Sequence, residues 1–176
     1  MLFLRYLQQA DQAVRNGGTS AGLCGREIRS KKVGIIGCGQ IGFMTAKLFQ
    51  AFGAEVYAYA RHEREEVKAA GIAYKPLDDL LRECDIISLH TPNNKETRGM
   101  ISAEKIALMK KSAIFINCAS GPIVDSKALA QALNEGRIAG AAVDVFDCEP
   151  PIPAEEPLLH AKNTLLTPHV AFLSSG

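Results

Sequence analysis

Apolar residues along this chain fall into two rhythms that take turns. Short, nearly continuous runs, such as Val33, Ile35 and Ile36 after Lys32 or Ile86 and Ile87 before Leu89, predict buried strands. By this pattern strands fall at residues 32–36, 55–59, 72–74, 85–89, 113–117, 139–145 and 164–167. Between them, apolar positions three and four apart predict helices. One follows Gly42 and stops at Gly53, carrying Phe43, Met44, Ala46, Leu48 and Phe52. Others cover residues 63–70, a short stretch after Pro76 with Leu77, Leu80 and Leu81, and residues 102–109. The last covers 126–135, with Ala128, Leu129, Ala132 and Leu133 inward and Gly136 as its stop. Ahead of all these, Phe3, Leu7, Ala10 and Val14 recur at steps of four, three and four, which predicts a helix over residues 3–15 that Asn16, Gly17 and Gly18 end. That stripe must be covered by its own domain or by a partner subunit. Residues 19–30 are polar and glycine-bearing and read as a linker.

Strands alternating with helices of roughly ten residues imply right-handed crossovers and a doubly wound α/β fold, a parallel sheet with helices on both faces. Ligands of such sheets bind outside the carboxyl ends of strands. Here those are the segments just after Ile36, Tyr59, Leu89, Asn117, Val145 and Thr167. The first is the most informative. A strand runs directly into Gly37, Gly39 and Gly42 and then into a helix, the fingerprint of dinucleotide binding in its required setting. Gly37 permits the turn, Gly39 lets the backbone approach a pyrophosphate, and Gly42 lets helix and strand pack closely. The phosphates would rest on amides that open the helix, those of Gln40 and Ile41 included, where the helix dipole favours negative charge.

Composition narrows the class further. Twenty basic and 19 acidic residues leave a net charge of +1, with no basic excess suited to nucleic acid. No apolar run approaches the ~18 residues of a membrane helix, and Arg5 interrupts the apolar start before a signal-peptide core could form. Five cysteines, Cys24, Cys38, Cys84, Cys118 and Cys148, are odd in number and include no C-x-x-C pair. They read as reduced thiols of a cytoplasmic protein rather than disulfides or metal ligands. No metal, nucleic acid or membrane partner is expected.

Five ordered motifs then carry a resemblance: GIIGCGQIG at 34–42, SLHTP at 88–92, INCASG at 116–121 followed by IVD, AVDVFDCEPP at 142–151, and LTPHVAF at 166–172. In these the chain resembles the D-isomer-specific 2-hydroxyacid dehydrogenases, nearest to the glyoxylate/hydroxypyruvate reductase and phosphoglycerate dehydrogenase branches. The resemblance implies a Rossmann-type NAD(P)-binding domain over residues 31–170, preceded by an N-terminal helix (1–18) that pairs subunits into a homodimer and by the linker (19–30). Residues 171–176 would begin the return to a substrate-binding domain. The family has roughly a hundred residues ahead of the first helix and a further segment after the TPH motif, so the chain is expected to be truncated at both ends, with the substrate domain largely absent.

The resemblance also implies site residues. Gly37, Gly39, Gln40, Ile41 and Gly42, with Thr91, Pro92, Cys118 and Ala119 at later strand ends, would line the cofactor. Asp144 matches the aspartate that holds the nicotinamide carboxamide. NAD binders usually place a carboxylate at the end of the second strand to accept from the ribose 2′-OH. Here that position is Ala60, followed by Arg61, His62 and Arg64. A missing carboxylate beside a guanidinium suits a 2′-phosphate, so NADP is expected over NAD. The other reading leaves Arg61 solvated and gives the ribose to Glu63 or another group. Reduction of a 2-oxo acid also needs a proton at the carbonyl oxygen, for which histidine is the usual donor. His169 matches the family's catalytic histidine, and Glu149 matches the carboxylate that pairs with it. Where the family has an arginine that clamps the substrate carboxylate, this chain has Ser120, which carries no charge and cannot form a bidentate pair. Two readings follow: an NAD(P)-dependent dehydrogenase of small 2-hydroxy/2-oxo acids, or a catalytically impaired fragment or pseudo-enzyme that keeps dinucleotide binding and dimerisation.

Overall fold

The structure is a computed structural model that describes residues 2–148 and 150–173. Its centre is a sheet of seven parallel strands among the described residues: β1 (Lys32–Ile36), β2 (Glu55–Tyr59), β3 (Ala73–Tyr74), β4 (Ile86–Leu89), β5 (Ile114–Asn117), β6 (Gly140–Val143) and β7 (Thr164–Leu166). Their spatial order is β3-β2-β1-β4-β5-β6-β7. The order reverses between β1 and β4, whose register pairs Val33 with Ile86 and Ile36 with Leu89. This reversal is the point at which a doubly wound sheet opens a ligand crevice.

The two-residue period of the strands sends alternate side chains to opposite faces. Val33, Ile35, Val56 and Ala58 join a core cluster with Ala46 and Val67, whereas Ile36, Ile87, Leu89 and Phe115 join another with Leu80, Leu81, Leu129 and Leu133. The first face is covered by α3 (Gln40–Ala51) and α4 (Glu65–Ala69), the second by α5 (Leu77–Glu83), α6 (Ala103–Ala107) and α7 (Ser126–Asn134). Burial on both faces explains the lack of strict polar alternation in the strand sequences. Asp125 caps α7 by accepting from the Ala128 amide at 2.9 Å.

Two local expectations need correction. The N-terminal helix is two pieces, α1 (Leu2–Arg5) and α2 (Leu7–Arg15), because Tyr6 adopts a left-handed conformation (φ 51°). Leu4 thereby turns into the core, and its carbonyl accepts the Arg26 amide at 2.7 Å. The helix after the glycine turn begins at Gln40, not beyond Gly42, so Gly42 lies in its first turn. Within α3 only Gly42 and Ala46 are fully buried, while Ile41, Met44, Leu48 and Phe52 point outward. With Leu7 and Val14 of α2 they are 47–76% exposed. The side chain of Phe3, the first member of the N-terminal stripe, lies outside the described residues.

Candidate active site

The carboxyl ends of β1, β2, β4, β5, β6 and β7 lie along one edge of the sheet, and those predicted residues that the structure describes gather there. At the end of β1, Gly37 has φ 91°. A side chain is doubly excluded, since a Cβ would lie 2.6 Å from the Thr91 nitrogen and 2.7 Å from the His90 carbonyl carbon. The turn is pinned on both sides, by the Gly37 amide donating to the Tyr59 carbonyl (2.8 Å) and the His90 amide donating to the Ile36 carbonyl (2.7 Å). Gly42 is a close-approach position, where a Cβ would come within 2.2 Å of the Gly37 carbonyl oxygen. Gly39 differs from both. It caps the amino end of α3, and a Cβ there would meet nothing within 4 Å. The Phe43 amide donates to the Gly39 carbonyl at 2.9 Å, so by helix geometry the amides of Gln40, Ile41 and Gly42 have no acceptor within the helix. A bare backbone facing open space, with amides behind it that the helix itself leaves without an acceptor, fits a dinucleotide's diphosphate.

At the end of β2, Ala60 offers no carboxylate. Arg61 is exposed, and its guanidinium is paired with the carboxylate of Glu96 from the loop after β4. Glu63 is occupied by Lys68 at 2.7 Å. Thr91 is half-buried and Pro92 exposed beside the glycine turn. Next to them the His90 Nε2 lies 2.9 Å from the Ser88 hydroxyl, and burial pushes that ring's pKa down.

The loop after β5 is organised by a residue the sequence reading did not single out. Asn117 is buried, its side-chain oxygen accepts the amides of Ala119 (3.0 Å) and Ser120 (3.3 Å), and its amide group donates to the Ser120 carbonyl (3.0 Å). Cys118, Ala119 and Ser120 are thus held on a rigid turn. An asparagine at a strand's end, two residues before a small one, was the available signal.

The loop after β7 depends on Asp144 in the same way. Its buried carboxylate accepts from the Thr167 hydroxyl and from the amides of Val170 (3.0 Å) and Ala171 (2.9 Å), while its carbonyl accepts the His169 amide (2.8 Å). Burial by itself would raise the Asp144 pKa. The Thr167 hydroxyl, the two amides and the charge of His169 outweigh it and hold the carboxyl below its ordinary range. His169 itself has φ 55°, an unfavourable left-handed backbone that histidine tolerates better than most residues. The grip of Asp144 on both sides of it maintains that conformation. The ring stands edge-on to Phe172, with centroids 4.8 Å apart. Glu149 lies outside the described residues.

A cavity of about 310 Å³ between α1 and the starts of β5 and β7 lies at the opposite, amino-terminal edge of the sheet. Among the described residues no three His, Cys, Asp or Glu side chains gather as a metal set, and no helix is long and apolar enough to cross a membrane.

Comparison with known proteins agrees with this geometry. The family model for "D-isomer specific 2-hydroxyacid dehydrogenase, NAD binding domain" matches residues 1–171. The chain belongs to this family. Glyoxylate reductase of Aeropyrum pernix is 44% identical over 159 residues, 90% of this chain and 47% of that protein. Among solved structures, D-lactate dehydrogenase from Aquifex aeolicus complexed with NAD and lactic acid superposes with a TM-score of 0.91 at 34% identity, covering 99% of this chain and 57% of that one. An acyclic imino acid reductase in complex with NADPH and D-Arg gives 0.89 at 31% identity, covering 99% and 55%. The chain spans about half the length of the curated relatives it matches.

Proposed function

We propose that this domain binds NAD(P)(H) and serves the interconversion of a D-2-hydroxy acid and its 2-oxo acid, with glyoxylate or hydroxypyruvate as the substrate class. The observation that carries this reading is the open space over Gly39, backed by the amides of Gln40, Ile41 and Gly42, which have no acceptor within the helix. A bound nicotinamide supplies or accepts the hydride. The protein's own groups do the rest. Gly37, Gly39 and Gly42 shape the phosphate cradle, Thr91, Pro92, Cys118 and Ala119 line the groove, and Asp144 sets the turn on which His169 stands. His169 delivers the proton to the carbonyl oxygen, with Glu149 as its partner. Ala60 and Arg61 support a preference for NADP over NAD, since Ala60 offers no carboxylate to a ribose 2′-OH and a guanidinium matches a phosphate. The apolar faces of α2 and α3 support a homodimer, and the balanced charge with free cysteines supports a cytoplasmic protein.

Ser120 supports the second reading, an impaired catalyst. Hydrogen bonds to charged groups contribute about 1.5–3 kcal/mol each, so the missing two-bond clamp lowers transition-state stabilisation enough for a rate loss of roughly a hundredfold or more. Titration with NADPH and NADH tests the binding, and turnover of glyoxylate and hydroxypyruvate separates the two readings. Absence of binding by either nucleotide refutes both. Turnover comparable to intact relatives refutes the impaired reading. A Ser120→Arg variant that gains nothing places the limit elsewhere than at this residue.

A further inference from the structure

The pairing of Arg61 with Glu96 joins residues 35 positions apart. Arg61 follows β2 and Glu96 follows β4, and β1 lies between those strands in the sheet. The ion pair therefore straps the two loops that flank the glycine turn, across the end of the groove where Ala60 stands. Glu96 is not loosely hung. The Asn94 side-chain oxygen accepts the amides of Glu96 (2.9 Å) and Thr97 (3.1 Å), the Asn94 amide donates to the Thr97 hydroxyl (2.9 Å), and that hydroxyl donates to the Pro92 carbonyl (2.6 Å). The turn fixes where the carboxylate emerges. The nearby acidic residues Glu63 and Glu66 are taken by Lys68 and Arg64.

We propose that Glu96 is a specificity-determining residue: its carboxylate holds the Arg61 guanidinium and yields it to a 2′-phosphate, so that binding of NADP(H) is a carboxylate-for-phosphate exchange at Arg61. This rests on the NADP reading of Arg61 given above. Both side chains are 67% exposed, so their pair is weak and open to replacement. A phosphate brings up to two negative charges and an oxygen face matched to the guanidinium fork, and displaces a single exposed carboxylate. The displacement has a cost, because a ligand's apparent affinity falls by the fraction of protein whose site is free to receive it. For an exposed pair that factor is about two- to fivefold. It applies only to nucleotides with a 2′-phosphate. Glu96 thus narrows the preference for NADP(H) over NAD(H) that Arg61 creates, by weakening the former alone.

The test is calorimetric titration with 2′,5′-ADP and with 5′-AMP, which differ only in the 2′-phosphate, on the wild-type chain, Glu96→Gln, Arg61→Gln and the double variant. All the altered side chains are solvent-exposed, so folding is preserved. Glu96→Gln is expected to bind 2′,5′-ADP about two- to fivefold more tightly with 5′-AMP unchanged, and the double variant to match Arg61→Gln alone. If Arg61→Gln leaves the preference for 2′,5′-ADP intact, the cofactor reading itself falls and the exchange falls with it. If Arg61→Gln abolishes the preference but Glu96→Gln gains nothing, Arg61 keeps its role and that of Glu96 is refuted. A gain from Glu96→Gln that persists without Arg61 shows the carboxylate acting through its field alone, and also overturns the exchange.

Discussion

Gly39 and Gly42 lie three residues apart in one turn, yet alanine at each should fail in a different way. At position 42 the new Cβ lies 2.2 Å from the Gly37 carbonyl oxygen, about 1.2 Å short of ordinary contact. Both atoms belong to backbone, so no side-chain rotation relieves the clash. The turn cannot retreat, because Gly37 is held by the Tyr59 carbonyl and backed by the end of β4. Overpacking of this kind costs about 1–3 kcal/mol or more, against which the helix preference of alanine over glycine returns at most ~1 kcal/mol. A net loss of about 2 kcal/mol lowers Tm by roughly 4–8 °C in a chain of this size. At position 39 the backbone (φ −73°, ψ −155°) suits alanine and nothing lies within 4 Å. Losing glycine at a helix N-cap costs no more than about 1 kcal/mol, so Tm should move by less than ~4 °C. The methyl group would, however, fill the space through which a diphosphate approaches. Gly39→Ala is therefore expected to keep its fold and lose about tenfold or more in NADPH affinity, and Gly42→Ala to lose stability first. Thermal unfolding with and without NADPH, together with equilibrium titration, reads both. A Gly39→Ala variant that binds like wild type refutes the placement of the diphosphate, and a Gly42→Ala variant with unchanged Tm refutes the close approach.

Other consequences follow from the same contacts. Asp144→Asn keeps the volume but turns one acceptor into a donor that faces an amide or hydroxyl, at a cost of about 2 kcal/mol; hydrogen exchange should show the Val170 and Ala171 amides losing protection, and unchanged protection would refute the grip on the His169 turn. The folded-state pKa values of Asp144 and Asp85 lie below the usual range and that of His90 is lowered by burial. In each case the unfolded chain binds more protons, so stability should be level between about pH 7 and 8, fall as pH drops through ~6.5 on account of His90, and fall again below about pH 4 as the carboxylates protonate. Urea midpoints across this range test it, and an upper decline that persists in His90→Gln contradicts its assignment. The 18.9 kDa chain should sediment as a dimer of about twice that mass at tens of micromolar, and Leu7→Glu with Val14→Glu should give monomer; a monomeric wild type would oppose the proposed pairing.

Local rules determined much of this protein from its sequence alone. Buried strands and glycine-stopped helices are encoded in runs and periods of a few residues, so the alternation, the parallel sheet and the glycine turn were readable, with boundaries shifted by one to three positions. The tertiary structure alone decided what depends on partners far apart in the chain. Tyr6 breaks the first helix and Leu4, on the piece before it, turns into the core, which no local period announces. The apolar residues of α3 do not say by themselves which face is buried, and in the fold Gly42 and Ala46 make the close contact while the larger ones point outward. Asp144 and Asn117 read as residues at strand ends, and only the fold shows each gathering a whole loop through several hydrogen bonds. Glu96 had no signal at all, since its meaning comes from a guanidinium 35 residues away. Periodic burial is a property of neighbours in sequence, whereas a site is made where separate strand ends converge.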